Sequence, residues 1–191
     1  MWDWYDKHDS EYIILSREAV IDMRTLDTER LILKDWELSD LDDYYAIMSN
    51  PAVAVSEGSM PSQTKDACLP ILQYFMQAKN NYALVLKETG HVIGSVGLNE
   101  DADGNQDARN VGFMLEETYW NRGLMTEALR AIIANAAEIT SILSCGHTVE
   151  NAKTKHIIEK LGFKYVKTFH DIKKYNDAMG HDLLYYTLRL R

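Results

Sequence analysis

The chain has 191 residues, 46% of them hydrophobic, with 20 Lys and Arg against 29 Asp and Glu and a formal net charge of −9. That length fits one domain with its own core, and no apolar run approaches membrane-spanning length. The acidic balance argues against nucleic acid, which wants a basic face. It suits a cationic partner such as an amine or a basic peptide, or it serves only solubility. The two cysteines, Cys68 and Cys145, lie far apart without metal or redox spacing, and Asp3, Asp6 and Asp9 stand where a leader would need an apolar run. A reducing, cytoplasmic location is the simplest expectation, with no metal and no membrane.

Residues 1–23 contain Trp2, Trp4, Tyr5, Tyr12 and Ile13-Ile14-Leu15, too apolar for a solvated tail. They are expected to pack on the body of the protein or on a second subunit of a homodimer, with a cover over the substrate cleft as the sharper alternative. Residues 24–191 then form the domain proper. Arg30 to Trp36 reads as a strand. Ser39 is placed to cap the next helix, with Asp42 in its first turn and Leu41, Tyr44, Tyr45 and Met48 at helical spacing. Asn50-Pro51 is expected to stop that helix. A second helix runs to about Asn80, with Ile71, Leu72, Phe75 and Met76 on one face; Pro70 either begins it or kinks it.

Tyr82–Leu86 and Val92–Leu98 form a hairpin around Thr89-Gly90, and Asp101–Asp107 is a polar loop. Arg109–Glu116 is a strand that runs into a basic, glycine-containing turn. In the helix that follows, Met125, Ala128, Leu129, Ile132, Ile133 and Ala136 share a face. Ser144–Val149 is a short strand, and Ala152–Leu161 a helix with Gly162 just beyond its end. Phe163–Asp171 and Leu183–Leu190 close the chain as a hairpin. The order predicts a mixed α/β sheet with few crossovers.

The turn carries the most information. Trp120, Asn121, Arg122, Gly123, Leu124 and Met125 join a strand to an amphipathic helix, so free backbone N–H groups and the positive end of the helix dipole converge. Such a point binds anions, phosphate above all. Gly123 lets the backbone approach closely, and Arg122 adds a fixed charge. The alternative is an ordinary turn. These six positions resemble the pyrophosphate loop of the GNAT N-acetyltransferases, Gln/Arg-x-x-Gly-x-Gly/Ala, with the first glycine kept, Trp in first place and Met in last. A second stretch, Asn151-Ala-Lys-Thr-Lys-His-Ile-Ile-Glu-Lys-Leu-Gly-Phe163, is similar to the family signature Asn-x-x-Ser/Ala-x-x-apolar-x-Glu-Lys-x-Gly-Phe. Thr28-Glu29-Arg30-Leu31-Ile32-Leu33 and Thr89–Leu98 resemble the branch that includes the ribosomal-protein acetyltransferases. The resemblance covers roughly residues 26–190 and implies a mostly antiparallel sheet of about seven strands, the fourth and fifth splayed, with about four helices.

The resemblance also implies an acetyl-CoA-dependent transfer of an acetyl group to a primary amine, either a protein N-terminus or a small molecule, within a ternary complex. The N–H groups of Arg122, Gly123, Leu124, Met125 and Thr126 would cradle the pyrophosphate. Backbone groups of Phe113, Met114 and Leu115 would pair with the pantetheine arm and polarise the thioester. Asn151 suits a helix N-cap, and its family counterpart also touches the CoA arm. Thr154 shares a face with Ile157, Ile158 and Leu161 and stands where a Ser protonates the leaving thiolate; a Thr bonded to its own helix backbone is the alternative. Ile158 stands where small-molecule relatives carry a Tyr. For the base, His147 has a suitable unperturbed pKa and Glu116 ends the preceding strand, although either residue is equally readable as structural. Some relatives carry an acid after the sixth strand, where this chain has Lys173 with Asp171 close by. Cys145 with His147 makes two metal ligands without a third. A module that binds CoA without catalysis is the competing expectation.

Overall fold

The computed structural model describes residues 24–174 and 177–190. The expectations for residues 1–23 and for the side chain of Lys173 lie outside the described residues and side chains. Eight strands form one sheet in the order β1-β2-β3-β4-β5-β6-β8-β7. They are β1 (Leu26–Asp27), β2 (Leu31–Asp35), β3 (Asn81–Leu86), β4 (Val92–Glu100), β5 (Ala108–Leu115), β6 (Ile142–Thr148), β7 (Lys164–Lys174) and β8 (Asp177–Arg189). Every neighbouring pair is antiparallel except β5 and β6. Five helices complete the fold: α1 (Leu41–Ser49), α2 (Pro51–Glu57), α3 (Lys65–Ala78), α4 (Leu124–Ala136) and α5 (Ala152–Lys160). The mixed α/β architecture agrees with the sequence reading, with one more strand and one more helix than it expected.

The extra helix corrects the expected role of Asn50-Pro51. The pair ends α1 and also starts α2, because the Asn50 side chain accepts the Ala52 N–H at 2.8 Å while Pro51 takes the first helical position, where its missing N–H is no loss. Ser39 is not the cap of α1. The chain enters that helix through a 3-10 turn, Leu38–Asp40, whose Asp40 carboxylate accepts the Glu37 N–H at 2.9 Å and the Lys34 ammonium at 2.8 Å. Pro70 neither begins nor ends α3. Thr64 caps that helix six residues earlier by accepting the Ala67 N–H at 3.3 Å, and Pro70 sits inside, on the exposed side, where one ladder bond is lost.

Alternation along the strands divides the core between two faces of the sheet. On one face, Leu84, Ile93, Val96, Val111, Leu143 and Cys145 pack beneath α4 and α5 with Leu129, Ile132 and Ile158. On the other, Ala83, Val92 and Met114 pack beneath α1, α2 and α3 with Tyr44, Ile47, Val53 and Leu72. Each fully buried aliphatic side chain stabilises the fold by about 1.5–3 kcal/mol, so α4 and α5 are fixed against the sheet by their apolar stripes rather than by helix propensity.

Candidate active site

The parallel ladder between β5 and β6 is short. It pairs Ala108 with Ile142, Arg109 with Leu143 and Asn110 with Ser144, and ends there. Beyond it, β5 stays on β4 as far as Leu115, and β6 stays on β8 as far as Thr148. The facing edges of Val111–Leu115 and Cys145–Thr148 therefore separate into an opening in the middle of the sheet. Gly94 helps to hold the end of β5 against β4, since any Cβ there would run into the Met114 carbonyl oxygen. Of the three residues expected to present backbone to a ligand, Leu115 already has one group engaged: its carbonyl accepts the Trp120 indole N–H at 2.7 Å. The Trp120 ring in turn lies 3.7 Å from the Lys153 ammonium, a cation–π contact between the turn and the first turn of α5.

At the end of β5 a 3-10 turn, Glu117–Tyr119, leads into Trp120–Gly123 and α4. Asn121 and Gly123 both have positive φ, 62° and 77°, which folds the turn back so that α4 starts with no side chain over its N-terminus. The N–H groups of Leu124, Met125 and Thr126 have no partner within the helix, and the Arg122 guanidinium sits 5.2 Å above the Tyr119 ring at the exposed edge. Geometry and charge at this point suit a phosphate. A cavity of about 490 Å³ adjoins it, lined by Arg30, Gly123, Thr126, Glu127, Arg130 and Lys160 among others.

Sequence reasoning overlooked the residue that holds this turn. Arg30 donates to the Arg122 carbonyl at 2.9 Å and to the Glu127 carboxylate at 2.7 Å, while the Thr28 hydroxyl and the Arg30 backbone N–H reach the other Glu127 oxygen at 2.6 and 2.7 Å. Burial pulls the Glu127 carboxyl upward. The bonds from Thr28 and Arg30 outweigh it and leave the group below its ordinary value. A basic residue beside the β1–β2 turn and an acid in the first turn of α4 were both visible in the sequence; their pairing was not.

Asn151 caps α5, its side-chain oxygen accepting the Thr154 N–H at 3.1 Å, as expected. Its amide nitrogen also reaches the Ser56 carbonyl at 3.5 Å, tying α5 to the end of α2. Thr154 is half-buried in the first turn of α5, and among the described residues its hydroxyl makes no bond to its own helix. Ile158 is buried one turn later. His147 lies on the α4/α5 side, 3% exposed, with its ring 5.3 Å from that of Tyr186. Its Nδ1–H donates to the Thr148 carbonyl at 2.8 Å, which leaves Nε2 as a buried lone pair with no partner among the described residues. Glu116 is half-buried and accepts the Thr118 hydroxyl at 2.8 Å. His147 and Glu116 thus sit on the two diverging strands rather than side by side.

Glu57, the last residue of α2, went unnoticed in the sequence. It is half-buried next to Ser56, so it stands at the contact between α2 and the cap of α5. Burial pushes its carboxyl up to about 8. Burial also pushes the Cys145 thiol up to about 12, and the charge of Glu57 adds to the effect, which places that carboxyl within electrostatic reach of the first β6 residue past the split. Cys145 therefore stays a thiol packed in the core. The one available signal was a single acid in the otherwise apolar run Pro51-Ala-Val-Ala-Val-Ser-Glu57. Among the described residues no three His, Cys, Asp or Glu side chains converge as a metal site would need, and no helix is long and apolar enough to cross a membrane.

Comparison with known proteins gives consistent matches. The acetyltransferase (GNAT) domain family matches residues 30–164. An uncharacterised N-acetyltransferase, p20, of Bacillus licheniformis is 32% identical over 116 residues, 58% of this chain and 65% of that protein, so the aligned chain spans just under two thirds of that relative. Among solved structures, a GNAT-family acetyltransferase from Bacillus anthracis superposes with a TM-score of 0.78 at 18% identity, over 87% of this chain and 99% of its own. An acetyltransferase from Salmonella typhimurium that modifies the N-terminal serine of ribosomal protein L7/L12 superposes with a TM-score of 0.73 at 14% identity, over 87% and 99%.

Proposed function

The chain belongs to the GNAT acetyltransferase family, and from that premise we propose that it transfers an acetyl group from acetyl-CoA to a primary amine, directly, with both substrates bound at once. One observation carries this reading: the opening where β5 leaves β6 lies beside a helix N-terminus that no side chain caps. The uncapped end of α4, with Arg122 and the cations of the adjoining cavity, suits the phosphates of CoA. The unpaired edge of Val111–Leu115 suits the amides of its arm, with Phe113 the freer contact because Trp120 engages Leu115.

Chemistry at the thioester needs a polarised carbonyl, a neutral amine and a proton for the departing sulfur. The β5 backbone would supply the first. The Thr154 hydroxyl, at the start of α5 where Asn151 caps the helix, would supply the third. The acceptor is either a protein N-terminus, as in the Salmonella enzyme that shares the fold, or a small amine, and the acidic balance of the chain suits both.

The test is release of CoA thiol from acetyl-CoA across a panel of short peptides with different N-termini, polyamines, amino acids and aminoglycosides. Acceptor-dependent release is the expected result, and its pattern identifies the amine. Saturable acetyl-CoA binding with no release for any acceptor would replace the transferase reading with a CoA-binding module.

A further inference from the structure

We propose that Glu57, carried by the end of α2 to the mouth of the β5–β6 opening, is the base that takes a proton from the acceptor amine. The inference rests on the transferase reading above and names the residue which that reading lacks.

Three elements converge on this position. α2 packs between α1 and the end of β5, with Val53 and Ala54 buried, so its C-terminal end cannot swing away from the sheet. Asn151 joins the two ends of the chemistry: one amide atom holds the N–H of Thr154, and the other holds the carbonyl of Ser56, the residue before Glu57. Cys145, the first residue of β6 past the split, feels the Glu57 charge. The two sides of the reaction are thereby separated: Thr154 belongs to the α4/α5 face, and Glu57 comes from the helices of the other face.

The neighbouring acids and Lys153 are otherwise engaged. Glu116 is bonded by Thr118 and Glu117 by Asn50. Asp42 pairs with Lys65, and Asp43 with His91. Glu150 lies 3.7 Å from His181, and Lys153 covers Trp120. Of the two groups on β6, Cys145 is a buried thiol, and the free Nε2 of His147 is buried on the α4/α5 face, across the sheet from the helices that carry Glu57. Glu57 is the carboxyl of this set that is partly buried with no hydrogen-bond or ion-pair partner among the described residues. A carboxyl walled in by apolar surface resists ionisation, and so has the basicity that proton abstraction near neutral pH requires. An incoming ammonium would be the partner it lacks.

The step balances. The substrate ammonium gives one proton to the Glu57 carboxylate, and the freed nitrogen lone pair attacks the thioester carbonyl carbon. The C–N bond forms and the C–S bond breaks, with its electron pair going to sulfur. The second surplus proton of the nitrogen passes through water and restores the Thr154 hydroxyl, which has given its own proton to the thiolate. Glu57 returns its proton to solvent. The sum is ammonium plus acetyl-CoA giving acetamide, CoA thiol and one released proton.

The experiment compares wild type with E57Q and E57D, using an acceptor found by the amine panel. With E57Q, kcat should fall roughly 100-fold, the rise of rate with pH should flatten, and acetyl-CoA affinity should hold; E57D should keep part of the rate. Thermal unfolding gives a second readout. A carboxyl whose folded pKa is raised lends stability below its unfolded pKa and loses it as pH rises through the folded value near 8. Wild type should therefore lose melting temperature relative to E57Q between pH 5 and pH 9. An E57Q enzyme with wild-type kcat and pH profile would overturn the role of Glu57 and leave the transferase standing. Parallel melting curves across that pH range would overturn its enclosed placement. Failure of the wild type to release CoA with any amine would overturn the transferase reading, and this assignment with it.

Discussion

The two sides of the β5–β6 opening are built differently. On the α4/α5 side the proposed anion site is made of backbone: three consecutive N–H groups at a helix start, two positive-φ residues in the turn, and a strand edge left unpaired by the split. On the α1–α3 side the chemistry falls to side chains, with Glu57 delivered by a short helix whose position depends on Asn50, Pro51 and a contact to Asn151 across 95 residues of sequence. A backbone site needs only the right turn between a strand and a helix, so its residues are contiguous and legible as spacing. A side-chain site needs several remote segments to meet, and no local pattern marks it.

Perturbing the backbone side should have the largest effect. Gly123→Trp places a bulky residue at φ 77° in the turn and should weaken acetyl-CoA binding by roughly 100-fold or more, through strain and the loss of about two charge-assisted bonds. Calorimetric titration with acetyl-CoA checks it, and retained tight binding would remove the phosphate assignment altogether. Next in size is Thr154→Ala, which should lower kcat by roughly 10- to 100-fold while acetyl-CoA affinity stays near wild type. Equal loss in kcat and affinity would instead assign Thr154 a binding role and blur the contrast between the faces.

The smallest effect belongs to Arg30→Ala. Its ion pair with Glu127 is partly exposed, so roughly a two- to fivefold loss of acetyl-CoA affinity is expected. The same pair sets a pH dependence. The Glu127 carboxyl is held below its ordinary value, so its contribution to stability is present above pH 4.5 and is lost as pH falls through the lowered value. Wild type should then lose more melting temperature on acidification than E127Q does. If the two variants lose melting temperature equally below pH 4.5, the Arg30 clamp contributes nothing to holding the turn.

Elements marked by local periodicity matched closely. The hairpin of β3 and β4, the stripe of α4 and the capped start of α5 with Gly162 beyond its end all follow from the spacing of apolar residues and a few turn residues. Local pattern fell short where one residue serves two elements: Asn50-Pro51 stops one helix as expected but also starts another, and Pro70, open between two placements, is tolerated inside α3 because Thr64 and the apolar face outweigh one missing bond. At the site, the turn into the uncapped start of α4 and the Asn151 cap were legible, whereas the Arg30–Glu127 clamp, the Trp120 bond to the Leu115 carbonyl and the position of Glu57 were not.

The sequence by itself determined the mixed α/β class, the order of its main elements and the loop that suits a phosphate, because each depends on residues within one or two turns of one another. Only the tertiary structure decided which face of the sheet each group serves, and that Glu57 is left half-buried without a partner among the described residues. Desolvation is a property of everything packed around a side chain, and a sequence lists only its covalent neighbours.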